Sequence, residues 1–279
     1  MICLERWAGH EIRKARIISP KDGKAVVIAI DHGILMGPVS GLEDPVETAS
    51  EIIKGHPDAI QCTPAIASSI RENLIERGAP ALIARIDASN VWRGHPKPKE
   101  GYREMLFSVK DAVRAGADAV VVYFLIGYEN DMAEGRNLKE VAAVISECMD
   151  YGMPVVVEPI GIAPGYQAVR DAQLIPLAAR IAYETGADIL KADYTGDAET
   201  FSKTVRAVHI PVLIRGGPKT ETLKDAFKMV EDAMKAGARG VVFGRNVWQS
   251  SNISGMVRAY MQLVHEGKSA ATLASELSK

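Results

Sequence analysis

The sequence predicts a (β/α)8 barrel of the TIM class, and three observations carry that prediction. Eight short runs are nearly continuous in Val, Ile, Leu and Ala, as parallel strands buried on both faces are. Most gaps between the runs hold a segment with helical apolar period. Three junctions repeat one phrase, Ala115-Gly-Ala-Asp118, Thr185-Gly-Ala-Asp188 and Ala236-Gly-Ala-Arg239. There a helix ends, glycine takes the left-handed cap, and a strand begins.

The strand runs are Ala25–Asp31, Ala59–Thr63, Ala81–Asp87, Ala119–Phe124, Pro154–Glu158, Ala187–Lys191, Pro211–Arg215 and Gly240–Gly244. Helices are clearest over Lys139–Tyr151, Leu174–Thr185, Thr222–Ala236 and Ile253–His265. An open doubly wound sheet would carry G-x-G-x-x-G after its first strand. The chain instead reads Asp31-His-Gly-Ile-Leu-Met-Gly37. We expect one domain over residues 1–279. Residues 1–24 would cap the barrel's bottom through Trp7, Ile12 and Ile18. Residues 269–279 would form a polar tail helix or a frayed end.

Composition narrows the function classes. The 279 residues are 47% hydrophobic, ample for a core, yet no run nears the roughly 18 apolar residues that span a bilayer. The opening Met-Ile-Cys-Leu-Glu-Arg-Trp lacks the charged and apolar regions of a signal peptide. Cys3, Cys62 and Cys148 are odd in number and scattered, which fits neither a disulfide framework nor a zinc site. A cytoplasmic location follows as the expectation. Charges nearly balance, 33 basic against 35 acidic, and no basic–aromatic interleaving suggests nucleic acid.

Active sites of this fold lie at the carboxyl ends of the strands. Those ends carry Asp31, Thr63, Asp87, Glu158, Lys191, Arg215-Gly-Gly and Gly244-Arg-Asn, with Tyr123 on the fourth strand. Lys191 is the most informative of them, because it interrupts an apolar strand. A desolvated lysine loses proton affinity and can attack a carbonyl. A nearby carboxylate can move the protons of carbon–carbon cleavage. The glycine turns after strands seven and eight, with Arg245, suit a phosphate. Plainer readings stand beside these. Lys191 can reach solvent from a strand end, Asp31 can cap the next helix, Glu158 can face solvent before Pro159, and Gly216-Gly217-Pro218 can be only a turn.

Four segments resemble the archaeal-type class I fructose-bisphosphate aldolases. They are Ile30-Asp-His-Gly33, Ala187-Asp-Ile-Leu-Lys-Ala-Asp-Tyr-Thr-Gly-Asp197, Gly216-Gly-Pro-Lys-Thr220 and Gly244-Arg-Asn-Val-Trp-Gln249. That superfamily of Schiff-base aldolases also holds 2-amino-3,7-dideoxy-threo-hept-6-ulosonate synthases and autoinducer-2 phosphate-processing thiolases. The resemblance implies that Lys191 forms the Schiff base and that Asp31 is a catalytic aspartate. It implies that Gly216, Gly217, Gly244 and Arg245 form the phosphate-binding turns; His32 and Arg215, beside these segments, are further candidates for substrate or phosphate binding. It implies no cofactor and no metal, and a homo-oligomer of the decameric-ring kind.

Two departures bear on chemistry. Many relatives carry Tyr-Pro-Arg-Gly after strand five, with the tyrosine as acid/base; here the residues are Glu158-Pro-Ile-Gly161. A buried carboxyl can serve the same transfer, as the glutamate of tagatose-bisphosphate aldolases is paired with their lysine. Arg215 stands where relatives have a small residue. It can meet a second anionic group, or pair with Glu158 and weaken it as an acid. The loop Asn90–Glu100, with Arg93, His95, Lys97 and Lys99, can hold a far phosphate or simply be solvated. The expected function is reversible cleavage of a phosphorylated ketose. A ulosonate synthase or phosphosugar thiolase is the first alternative, and a non-catalytic phosphosugar-binding barrel the second.

Overall fold

Eleven strands form in the computed structural model, which describes residues 8–278. They are β1 (Ala25–Ala29), β2 (Ala59–Cys62), β3 (Ala81–Arg85), β4 (Asp87–Ser89), β5 (Arg103–Met105), β6 (Ala119–Ile126), β7 (Val155–Ala163), β8 (Gln167–Val169), β9 (Ile189–Asp193), β10 (Val212–Arg215) and β11 (Gly240–Phe243). Eight of them, in the order β6-β3-β2-β1-β11-β10-β9-β7, pair in parallel, and β6 pairs with β7 to close the barrel. Helices lie between successive barrel strands, so the chain folds as the (β/α)8 barrel that the sequence predicts.

All eight expected runs become barrel strands, but only β10 ends at the expected residue, and four of the shifts matter for the site. Strand β7 continues past Glu158 to Ala163, and β6 continues to Ile126, so the two pair along seven positions. Strand β9 ends at Asp193, which places Lys191 inside the strand and not at its end. Strand β3 stops at Arg85, and Asp87 belongs to a short antiparallel hairpin, β4 with β5. A second antiparallel piece, β8, folds back on the end of β7. Neither hairpin is foreseen from the apolar runs, because strands of three residues carry no periodicity to read.

Strand alternation divides the residues of each barrel strand between lumen and outer face. The inward positions begin apolar. Ala25, Val27, Ala59, Ala81, Ile83, Ala119, Val121, Val156, Ile189, Leu213 and Val242 pack together as one buried cluster. Their outward neighbours, such as Val26, Ile28, Ile60, Val120 and Leu190, pack into the larger core beneath the helices. Ile17 and Ile18 close the lower lumen. Ile12 does not, since it is 64% exposed on the outer side of the helix Ala8–Ile17. Trp7 lies outside the described residues, as do Cys3 and Lys279.

The repeated junction phrase has a clear structural use. Gly116, Gly186 and Gly237 all have positive φ, which glycine adopts without a Cβ penalty. The aspartate that follows two of them staples neighbouring strands at the barrel's bottom. Asp118 Oδ2 accepts from Leu82 N at 2.9 Å, and Asp188 Oδ2 from Val155 N at 3.0 Å. Asp58 does the same for Val26 N at 2.6 Å. The N-terminal helix is fastened to the first two, Arg16 to Asp118 at 2.9 Å and His10 to Asp188 at 3.0 Å.

Helix ends follow capping chemistry. Asp44, Asn130, Asp197 and Thr222 each accept from a backbone N–H of the following turn. Leu174–Thr185 forms as expected, whereas the expected helix from Lys139 begins earlier, at Asp131. The expected helix Ile253–His265 is α-helical to Met261 and then widens into a π-turn over Gln262–Glu266. The tail is no frayed end: Ala270–Leu277 is a helix that buries Ala270 and Leu273. Among the described residues, no helix is long and apolar enough to cross a membrane.

Candidate active site

The upper lumen is polar, and it is built by continuing the inward register of each strand. Ala29 leads to Asp31, Ala59 to Gln61, Ile83 to Arg85, Val121 to Tyr123, Val156 to Glu158, Ile189 to Lys191, Leu213 to Arg215 and Val242 to Gly244. Asp31, Tyr123, Glu158, Lys191, Arg215 and Gly244 line a pocket at this end of the barrel, with Gly216, Gly217, Arg245, His32 and Trp92 around them. The structure thus brings together Asp31, His32, Glu158, Lys191, Arg215, Gly216, Gly217, Gly244 and Arg245, but not the strand-end residues Thr63 and Asp87. It also adds Arg85, Gln61, Asp193, Arg170 and Trp92, which the strand-end reading missed.

Lys191 is 5% exposed and Glu158 only 2%, so neither reaches solvent in the manner of a strand-end residue. Lys191 Nζ lies 3.0 Å from Glu158 Oε2. Burial lowers the pKa of Lys191 and Arg85 adds to that; Glu158 and Asp31 oppose it, and the net direction is down. This makes the neutral, nucleophilic amine more accessible than in an exposed lysine.

Arg85 organises the carboxylates and is wholly buried. Its Nε donates to Asp31 Oδ2 at 2.9 Å, its Nη1 to Asp87 Oδ1 at 3.0 Å, and its Nη2 to Glu158 Oε2. Its guanidinium carbon Cζ lies 3.7 Å from the ring centre of Tyr123. Asp87 also accepts from Arg103 at 2.7 Å and from Tyr123 N at 2.7 Å. It supports Arg85 from behind and does not line the pocket.

Asp31 is not a helix cap. The short helix Gly33–Met36 has no side-chain cap, and Asp31 Oδ2 instead accepts from Arg85 and from Gln61 Nε2 at 2.5 Å. Burial works against this carboxylate, but Arg85 and Lys191 outweigh it and hold its pKa well below the usual range. Asp31 is therefore a fixed negative charge rather than a proton carrier at neutral pH. Burial pulls the neighbouring His32 imidazole down to about 4, so it is neutral there.

Arg215 pairs mainly with Asp193, not with Glu158. Its Nε and Nη2 reach the two Asp193 oxygens at 3.1 and 2.6 Å, while Nη1 stands 3.8 Å from Glu158 Oε1. Arg170, from just beyond β8, shares Asp193 at 3.1 Å and donates to Gly216 O at 3.2 Å. Burial depresses the Arg245 pKa, and Arg215 and Arg170 add to the effect. The Arg245 Nε has no protein partner. Three arginines about Gly216, Gly217 and Gly244 make an anion cradle in which backbone and guanidinium groups can meet oxygen atoms. Glycine is needed at 217, where φ is +70° and a Cβ would fall 1.7 Å from Arg170 Nη2.

The Asn90–Glu100 loop divides its roles. Trp92 enters the pocket, its ring centre 4.8 Å from that of Tyr123 at a 40° tilt and 5.6 Å from the guanidinium carbon of Arg215. Arg93 and Lys97 line a separate cleft with Tyr166 and Gln167.

Comparisons with known proteins agree with this geometry. Residues 25–250 match the model of the DeoC/LacD family aldolases. An uncharacterized aldolase of Saccharolobus solfataricus is 45% identical over 92% of this chain and 95% of its own. A class 1 fructose-bisphosphate aldolase of Thermoproteus tenax is 34% identical, covering 91% and 94%. A 2-amino-3,7-dideoxy-D-threo-hept-6-ulosonate synthase of Halobacterium salinarum is 33% identical, covering 93% and 92%. An archaeal fructose-1,6-bisphosphate aldolase, solved with its catalytic lysine bound to the carbinolamine intermediate, superposes with a TM-score of 0.78 at 30% identity, covering 92% of this chain and 99% of that one.

Proposed function

The chain belongs to the DeoC/LacD family of aldolases, and we propose that it cleaves a phosphorylated ketose, such as fructose 1,6-bisphosphate, into dihydroxyacetone phosphate and an aldehyde. The observation that carries this reading is the buried Lys191–Glu158 contact of 3.0 Å at the floor of a pocket whose rim is an anion cradle. The cradle suits the substrate's phosphate, and Lys191 suits its ketone.

One proton circulates through Glu158. It leaves Lys191 for Glu158, and the free amine adds to the C2 carbonyl. Glu158 returns the proton to the carbinolamine hydroxyl, water departs, and a cationic iminium remains. Glu158 then takes the proton of the C4 hydroxyl. The C3–C4 bond breaks, its electron pair enters the enamine, and the aldehyde leaves. Protonation at C3 and addition of water release the ketone and restore the amine. Glu158 serves as acid and base because its Oε2 stands beside Lys191 Nζ; Asp31 supplies negative charge beside the iminium. Each such transfer contributes about 10²–10⁴-fold.

Support for this role of Glu158 is its place beside the lysine, where many relatives have tyrosine. The same reading includes a cytoplasmic homo-oligomer.

Borohydride trapping with dihydroxyacetone phosphate, followed by peptide mapping, tests the proposal. An adduct is expected on Lys191 and is absent from Lys191→Ala. Lys191→Ala with near-native turnover sinks the scheme. Product analysis with a second acceptor distinguishes cleavage from a synthase activity such as the one named for the Halobacterium salinarum relative.

A further inference from the structure

We propose that Arg215 is a catalytic residue. Its Nη1 and Glu158 Oε1 jointly hold the substrate hydroxyl oxygen that becomes the aldehyde carbonyl. This inference rests on the Schiff-base reading above and adds to it the site of the leaving aldehyde.

The two oxygens of Glu158 are unequal. Oε2 is occupied by both Lys191 and Arg85. Oε1 faces Arg215 Nη1 across 3.8 Å, beyond hydrogen-bond length. A single oxygen atom entering from the pocket can approach both at about 2.8 Å. It would meet an acceptor on one side and a cationic donor on the other. A hydroxyl losing its proton needs that combination: the carboxylate receives the proton, and the guanidinium stabilises the charge left behind.

Arg215 is built to wait in this position. Two bonds to Asp193 fix Nε and Nη2, and Asp193 is itself anchored by Arg170. Trp92 covers one side of the guanidinium. Nη1 is left 3.8 Å from Glu158 Oε1, at a pocket that both residues line. Such donors need little reorganisation as charge develops.

The step balances without any further reactant. The C4 hydroxyl proton passes to Glu158 Oε1. The O–H electron pair forms the C=O bond, the C3–C4 pair moves into the enamine, and the iminium nitrogen becomes neutral. Arg215 keeps its protons throughout and donates a hydrogen bond to the oxygen.

Two readouts separate this role from a structural one. The first is carbon–carbon chemistry, as cleavage of fructose 1,6-bisphosphate or condensation of dihydroxyacetone phosphate with short aldehydes. The second is borohydride trapping of dihydroxyacetone phosphate on Lys191, which involves no aldehyde oxygen. In Arg215→Gln, carbon–carbon chemistry should fall ~10²–10³-fold in kcat, while trapping at saturating dihydroxyacetone phosphate changes less than about threefold even if more ligand is needed to reach saturation. Arg215→Lys keeps the charge and a bond to Asp193, so it should fold, trap normally and recover part of the lost rate. Unchanged cleavage in both variants overturns the inference, as does an equal fall in cleavage and trapping. Wild-type protein that traps nothing, or traps but joins no aldehyde, overturns the aldolase reading itself and this inference with it.

Discussion

Arg85 donates to Oε2 of Glu158, and Lys191 Nζ forms an ion pair with the same oxygen at 3.0 Å. Two cations at one carboxylate oxygen repel each other, and Arg85 accordingly helps to depress the lysine's pKa. Asp31 and Asp87 offset the extra charge. Arg103, paired to Asp87, brings the cluster to three cations against three carboxylates, and it sits where bulk water cannot screen it.

Arg85 should therefore be the least replaceable residue of the lumen. Arg85→Met would leave three buried carboxylates without their shared partner. Breaking a buried pair from one side typically costs about 3–5 kcal/mol. Urea unfolding should show a loss of that order, with trapping on Lys191 displaced toward higher pH. A variant with a wild-type midpoint would show that the remaining cations compensate.

Strand register explains what was legible in the sequence. The apolar runs and the repeated glycine junctions identify the strands, so Asp31, Glu158, Lys191 and Arg215 stand out as polar residues near the ends of apolar runs. Arg85 was just as visible, two positions beyond Ile83 on the inward parity, and the rule of alternation would have found it. Reading only the terminal residue of each run selected Asp87 instead. Arg170 and Trp92 were less accessible. Each comes from a loop or hairpin whose path depends on tertiary packing, and no local pattern says which loop residue turns inward.

The anion cradle depends on the backbone at Gly217. Gly217→Ala would combine a left-handed conformation costing ~1–2 kcal/mol with a methyl group in the space of the Arg170 guanidinium. Arg170 should leave Gly216 and Asp193, loosening the site without touching Lys191. Calorimetric titration with inorganic phosphate should show about tenfold weaker binding, equivalent to ~1.4 kcal/mol. Unaltered phosphate affinity would remove this turn from the binding site.

The opposite end of the barrel should confer a pH dependence of stability unrelated to catalysis. His265 lies between two carboxylates, with Nδ1 2.8 Å from Asp22 Oδ2 and Nε2 2.9 Å from Asp58 Oδ2. The hydrogen bond to Asp58 raises its pKa most, Asp22 adds to this, and burial opposes it without prevailing. The folded chain thus holds the imidazole proton more tightly than the unfolded chain does. Its contribution is complete below the ordinary value of 6.5 and is lost as pH rises through the raised folded-state value. Asp58 also holds Val26 N of β1, so the clamp joins the π-turn to the first two strands. His265→Gln should be less stable than wild type near pH 6, and the gap in urea midpoint should narrow toward about pH 9. Equal gaps at the two pH values would mean that His265 acts through packing and not through its proton.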